Sequence, residues 1–301
     1  MRVGLDIGGT KIDAVALDDA GTPVQHARLA TGFGSEAVLS NAARAVDILR
    51  DLTGAAFTSI GVGIPGLVDP RLGRVRHAVN LGLDDVDFGT ALSVRTQAPV
   101  AVENDVNAAA LGAYHLLDLS GPVAYLNLGT GLAAGLVVDG ELWRGARGVS
   151  GEIGHIPVDP RGALCPCGQT GCLETIASGS AIARQWPSEH AYPAQALFAA
   201  ADAGDLEATR IRAALAEGVA AAVRILVLTV DVESVVIGGG LSHVGRPLLE
   251  GVRQVLRDWA ASSTFLASLD LAERIRLLPE GLSVAAVGAG MLVRPARETV
   301  A

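Results

Sequence analysis

Two short runs carry the densest chemistry in this chain. Gly151-Glu152-Ile153-Gly154-His155 precedes Cys165-Pro166-Cys167-Gly168-Gln169-Thr170-Gly171-Cys172-Leu173-Glu174, and all three cysteines of the chain fall in the second run. Three thiolates and one imidazole make a complete tetrahedral set for zinc, so His155, Cys165, Cys167 and Cys172 are the expected ligands. The competing reading is three buried thiols beside a satisfied histidine. The compact Cys-x-Cys step with flanking glycines favours the metal. Four protein ligands leave no open coordination position, which predicts a structural ion and no zinc-bound water. His155 can give one ring nitrogen to the metal and present the other to a ligand. Glu152 and Glu174 then flank a pinned loop as acceptors for hydroxyl groups, against the default of solvent-exposed glutamates.

A second set of residues suits phosphate. In Asp6-Ile7-Gly8-Gly9-Thr10-Lys11 the glycines let backbone N–H groups approach an anion, and Thr10 adds a hydroxyl donor. Asp6, at a strand end, suits a hydrated Mg²⁺. A plain hairpin turn is the alternative, but Leu128-Gly129-Thr130-Gly131 echoes the motif, and two such loops facing each other would clamp a polyphosphate. In Val102-Glu103-Asn104-Asp105 a strand hands over to a helix, a usual place for ligand chemistry. There Asp105 suits a general base and Asn104 a partner for hydroxyls, while both also suit a helix N-cap. Gly238-Gly239-Gly240 fits either a flat base lying on bare backbone or a tight strand-to-helix turn.

The elements that must position these residues alternate between strand and helix, which is the α/β class. Residues 3–7, the turn at 8–10, residues 14–17 and the turn Asp18-Asp19-Ala20-Gly21 recur as residues 124–128, 129–131, 134–138 and Asp139-Gly140. This reads as a duplicated hairpin start, one per half of the chain, and it predicts mixed sheets. Helices are expected over 35–52, 106–117, 206–229 and 284–293, and further strands over 59–64 (ending in Pro65-Gly66), 99–102 and 234–237. The domain break is placed near Ser120-Gly121-Pro122. This gives an N-terminal α/β domain over 1–118, completed by a C-terminal helix over 286–301, and a larger α/β domain over 119–285 with the zinc loop.

Composition narrows the function. The 301 residues are 50% hydrophobic and only 18% charged, enough for a large core built from aliphatic residues, since aromatics are 4%. A formal charge of −9 argues against a nucleic-acid surface. Asp6 interrupts any apolar leader, and Arg224 and Asp231 bound the best membrane-span candidate, so no membrane partner and a cytoplasmic location are expected. In that compartment clustered cysteines favour a metal over a disulfide. Lys11 is the only lysine, every other basic residue being arginine or histidine.

Taken together these runs resemble the ROK family of bacterial sugar kinases and sugar-responsive repressors, over nearly the whole chain. The phosphate signature is similar to Asp6–Lys11, the acid-base motif to Glu103-Asn104-Asp105, the second Gly-Thr loop to 128–135, the sugar-and-zinc signature to 151–174 with Ala177-Ser178-Gly179 after it, and the base turn to Gly238–Gly240. The resemblance implies an actin-like, ribonuclease-H-like fold of two α/β domains with a cleft. It implies an ATP-dependent hexose kinase, glucokinase-like, with Asp105 as general base. Gly66, Asn104, Asp105, Glu152, His155 and Glu174 are then expected on the sugar. Asp6, Gly8, Gly9, Thr10, Lys11, Gly129, Thr130, Gly131, Gly238, Gly239 and Gly240 are expected around ATP and Mg²⁺. Zinc would sit on His155, Cys165, Cys167 and Cys172. The 6-hydroxyl of glucose is the first acceptor considered; N-acetylmannosamine, N-acetylglucosamine, mannose and fructose kinases share the set, and Leu83 stands where a tryptophan is frequent. Relatives are commonly dimers or tetramers. A sugar-sensing regulator is the competing class. Its repressor form carries a helix-turn-helix ahead of the sugar domain, whereas here the phosphate strand begins at Val3.

Overall fold

The structure is a computed structural model in which residues 1–190 and 192–293 are described. The chain opens with strands β1 (Arg2–Ile7), β2 (Lys11–Leu17) and β3 (Pro23–Ala30), then helix α1 (Ser35–Thr53) and β4 (Ser59–Ile64). Three short strands follow, β5 (Leu67–Asp69), β6 (Arg74–Ala78) and β7 (Leu83–Asp87), then α2 (Phe88–Thr96), β8 (Val100–Asn104) and α3 (Asp105–Leu116). Next come β9 (Val123–Leu128), β10 (Leu132–Val138) and the two-residue β11 (Glu141–Leu142). The remainder carries α4 (Gly179–Gln185), α5 (Pro193–Asp202), α6 (Leu206–Val230), β12 (Ser234–Gly238), α7 (Arg246–Ala261), α8 (Thr264–Ala267), β13 (Ile275–Leu277) and α9 (Val284–Gly290).

These elements form two compact units. The first holds Met1–Leu119, Gly140–Gly148 and the described residues from Gly281 on; the second holds Ser120–Asp139 and Val149–Glu280.

The first unit is built on a mixed sheet of order β3-β2-β1-β4-β8. β1 runs antiparallel to β2 and parallel to β4, and β4 runs parallel to β8. Alternation sorts β1: Val3, Leu5 and Ile7 enter a core with Val38, Leu39, Ala42, Val46 and Leu49 of α1. Gly4 and Asp6 face the other way. There α9 lies so close that a Cβ on Gly4 or on Gly61 of β4 would overlap the carbonyl oxygens of Ala286 or Ala289. α9 and α3 are equally tight, because a Cβ on Gly112 would overlap the Val284 carbonyl oxygen and one on Gly288 that of Ala108. This is why α9 reads Val-Ala-Ala-Val-Gly-Ala-Gly: only small residues permit backbone contact with a sheet and a helix at once. The helix expected over 284–293 stops at Gly290, where the chain tightens into i→i+3 bonds, Met291 N–H to Gly288 at 3.1 Å and Leu292 N–H to Ala289 at 3.0 Å. The remainder of the helix expected to 301 lies outside the described residues.

The second unit carries the strand order β10-β9-β12-β13, with β9 antiparallel to β10 and parallel to β12. The hairpin-plus-parallel-neighbour pattern of β1, β2 and β4 thus recurs in β9, β10 and β12, as the duplicated sequence start predicts. Helix α6 is capped by the Asp205 side chain, which accepts from the Ala208 N–H at 2.9 Å, and it ends where Asp231 turns left-handed at φ 55°. By length and composition α6 could cross a membrane, but half of its most apolar stretch is buried in the second core.

Candidate functional site

In the first unit the parallel strands deliver functional residues to one edge. Asp6 pairs with Gly63, and Ile64 with Asn104, so the carboxyl ends of β1, β4 and β8 bring together Asp6, the Pro65-Gly66 turn and Asn104-Asp105. Such an edge is where α/β sheets bind ligands. Between β1 and β2 the Gly8-Gly9-Thr10 turn is closed by the Gly8 N–H donating to the Lys11 carbonyl at 3.0 Å. It is buttressed by Thr31, whose hydroxyl donates to the Gly8 carbonyl at 2.7 Å. Gly9, Thr10 and Lys11 remain exposed, and Asn80 lies beside the turn against Gly9. Leu83 is a core residue, so that position offers a ligand nothing directly.

Asp6 is the electrostatic centre of this edge. Burial, then the charges of Asp105 and Asp13, push its carboxyl up to about 7, with Lys11 opposing. Asp13 faces Asp6 across the hairpin, and its own balance is reversed. Burial would raise Asp13, but hydrogen bonds from His26 and Arg28, and one from Ser283, bring it below the usual carboxylate range.

Asn104 caps α3, its Oδ1 accepting from the N–H groups of Val106 at 2.9 Å and Asn107 at 3.3 Å. The cap reading therefore holds for that oxygen, and the amide nitrogen is the end left to meet a hydroxyl. Asp105 is the first residue of α3, where the helix dipole favours a negative charge, and one of its oxygens accepts from the Val106 N–H at 3.0 Å. Gly66 has a backbone reason of its own: φ is 104° and a Cβ would press on β6.

In the second unit the loops after β9 and β12 also share an edge, since Gly238 pairs with Asn127. The loop Gly129-Thr130-Gly131 is tied to the start of α4, with Gly179 N–H on the Gly129 carbonyl at 2.8 Å and Ser180 N–H on that of Thr130 at 3.1 Å. A cavity of about 510 Å³ opens there, lined by Gly129, Thr130, Gly179 and Ser180 together with Gly240 and Leu241. Its largely apolar remainder includes Ile182, Tyr192, Pro193, Gln195, His243 and Val244, none of which belongs to any motif visible in the sequence. Gly238 and Gly239 do not line it. A Cβ on Gly238 would overlap the Tyr125 hydroxyl, and one on Gly239 would crowd Asn127 and Leu128, so those two glycines serve the turn.

The metal set assembles within the second unit. One ligand atom each from His155, Cys165, Cys167 and Cys172 lies within 4.8 Å of the others. Cys167 and Cys172 Sγ are 3.6 Å apart, and Cys165 Sγ is 3.8 Å from His155 Nδ1. Tetrahedral zinc with bonds of about 2.0–2.3 Å holds its ligand atoms roughly 3.5–3.8 Å apart, so the residues fit the ion. The loop is shaped for this by two isolated bridges, Pro157 with Cys172 and Leu164 with Thr170. Burial pushes the Cys165 thiol up to about 12 and raises Cys172, while a hydrogen bond from Gln169 lowers Cys167 to about 6.

The Gly151-Glu152-Ile153-Gly154-His155 run is explained by its neighbour β10. A Cβ on Gly151 would overlap the Ala134 carbonyl oxygen, and one on Gly154 that of Leu132. The glycines lay the backbone flat on the strand, and the residues between and after them carry the chemistry. Glu152 is exposed, whereas Glu174 is partly buried, 3.0 Å from Cys165 Sγ and 3.6 Å from His155 Nδ1. When Cys165 is a thiolate on zinc that short contact has no proton, and the Glu174 carboxylate is repelled from the sulfur.

A family model described as ROK family matches residues 2–295. A glucokinase of Halalkalibacterium halodurans is 35% identical over 97% of this chain and 94% of its own length. An N-acetylmannosamine kinase of Haemophilus influenzae is 32% identical over 82% of this chain and 84% of its own. A ROK family glucokinase from Streptomyces griseus, solved in complex with glucose and AMPPNP, superposes with a TM-score of 0.77 at 31% identity, covering 97% of this chain and 99% of that one.

Proposed function

The chain belongs to the ROK family, with the actin-like kinase fold of its relatives, and from that premise we propose that it transfers the γ-phosphoryl group of ATP to a hexose hydroxyl. The 6-hydroxyl of glucose is the first acceptor. The observation that carries the reading is the carboxyl edge of the first sheet, where Asp105 at a helix start and Asp6 beside a glycine hairpin influence each other electrostatically.

In this reaction Asp105 takes the proton as the sugar oxygen attacks the γ-phosphorus in line, and the Asn104 amide orients the neighbouring hydroxyls. Glu152, His155 and Glu174 of the second unit are the further candidates to bind sugar hydroxyls. Backbone N–H groups of Gly9 and Thr10, in the turn that Gly8 closes, the Lys11 ammonium and the loop Gly129-Thr130-Gly131 neutralise the phosphates, and the apolar part of the 510 Å³ cavity takes the base. Mg²⁺, bound through Asp6 and the phosphates, would supply charge neutralisation on the transferring group. Zinc on His155, Cys165, Cys167 and Cys172 would supply only rigidity.

A second acceptor, N-acetylmannosamine, is favoured by the kinase of that name among the relatives. A coupled assay of the purified protein with ATP, Mg²⁺ and a panel of hexoses and acetylated hexosamines decides between them. Turnover of none of them, with sugar still bound, returns the chain to the regulator class. Asp105→Ala is expected to lower kcat by about 10²–10⁴-fold while sugar still binds; a variant with near-normal kcat removes Asp105 as the base.

A further inference from the structure

Glu103 is a buried carboxylate, with a side chain 3% exposed, at a point where an apolar residue would serve a strand better. It precedes the cap of α3 by one residue. Its Oε1 accepts from the backbone N–H of Asn104 at 3.0 Å and from the Asn107 side-chain amide at 3.0 Å. Its Oε2 accepts from Arg144 Nε at 2.5 Å. Strand β8 is an edge strand, so part of its backbone has no neighbouring strand to bond. The Glu103 carboxylate supplies the partner that the Asn104 N–H lacks. Arg144 supplies the charge that makes burying that carboxylate tolerable. Arg144 itself belongs to Gly140–Gly148, a first-unit segment flanked along the chain by second-unit residues on both sides.

We infer that Arg144 is a positioning residue for the proposed phosphoryl transfer: through Glu103 it fixes the Glu103–Asn104 peptide and the Asn107 side chain at the start of α3, and with them the carboxylate of Asp105 that receives the sugar proton. The inference rests on the reading of Asp105 as base. The Arg144 side chain donates to Glu103 and, at 3.5 Å, to the Leu142 carbonyl, and neither partner is assigned to sugar or nucleotide. A guanidinium is suited to this because its Nε–H is held in a fixed plane, which an ammonium does not reproduce.

The test is a double-mutant cycle on the full-length, zinc-loaded protein, with Arg144→Ala, Glu103→Gln and both together. Arg144→Ala is expected to lower kcat at least tenfold, with KM for ATP within threefold and zinc content unchanged. The double variant should be no more than threefold worse than the poorer single variant. Guanidine added to Arg144→Ala should recover part of kcat, and should not do so for the double variant. Hydrogen exchange of the peptide spanning residues 100–110 should quicken in Arg144→Ala. A kcat within twofold of wild type, or losses that multiply in the double variant, overturns the inference. If Arg144→Ala does not fold, Arg144→Lys replaces it, and wild-type kcat in that variant is the refuting result. A wild-type protein that phosphorylates no sugar defeats the kinase reading instead, and the exchange arm then still tests the Arg144–Glu103 link.

Discussion

Asp6 should make the resting protein less stable as pH rises, and Asp6→Asn should remove that dependence. The carboxyl titrates near 3.8 in an unfolded chain and about 7 in the folded one. Below the lower value it is protonated in both states. Between the two values the folded protein keeps a proton that the unfolded chain has released, so stability falls with rising pH and levels off once the folded group also ionises. Three units at 1.36 kcal/mol each amount to roughly 4 kcal/mol, of which about 3 kcal/mol is lost between pH 5 and pH 8. At about 2.1 cal/mol/K of unfolding entropy per residue, that is about 5 °C in Tm if the whole chain melts together, and about 10 °C if the first unit melts alone. Scanning calorimetry of wild type and Asp6→Asn at the two pH values, zinc-loaded, in Mg²⁺-free buffer and without nucleotide, reads this directly. The variant should gain on wild type at pH 8 and much less at pH 5, while losing Mg²⁺-dependent turnover. An equal Tm difference at both pH values refutes the reasoning, because it leaves the Asp6 carboxyl no differential protonation on folding.

Two further outcomes follow from the second unit. Cys167→Ser should drop zinc from one equivalent to a small fraction of one by elemental analysis, and raise KM for sugar at least tenfold with KM for ATP within threefold, since Glu174 and His155 ride on the metal loop; full activity without zinc contradicts this. Gly154→Ala should cost about 1–3 kcal/mol in urea unfolding by forcing a methyl group against the Leu132 carbonyl, and an unchanged midpoint would mean the backbone is not held on β10.

The parts of the fold that were legible in the sequence are those written in local patterns. The strand at 59–64 is uniformly buried and bounded by Pro65-Gly66, and it falls where the pattern puts it. The two Gly-Thr hairpins announce themselves by repetition, and Asn104 was readable as a cap because it ends a strand before an alanine-rich helix. The small sheet β5-β6-β7 left no such trace, since Arg74–Ala78 and Leu83–Asp87 mix charges with single apolar residues and pair within that three-stranded sheet. The amphipathic α7 is marked by Leu248, Leu249, Val252 and Leu256 and was readable in principle. Arg144 and His243 gave no signal, because their roles depend on partners 41 residues away at Glu103 and on a cavity assembled from four separate stretches of chain. Gly238 and Gly239 were ambiguous for the opposite reason: a glycine demanded by a tight turn looks, in sequence, the same as one that makes room for a ligand.

The backbone-to-backbone seating of α9 bears on how the protein is made. Gly4, Gly61 and Gly112 form a bare groove whose filling arrives only with residues 284–290. On the ribosome the first unit must therefore wait, the part of that face between β1 and α3 uncovered, while the whole of the second is translated. The late helix acts as a closing wedge, and the alanines and glycines that look like filler near the end of the chain decide when the nascent polypeptide stops exposing a sticky surface.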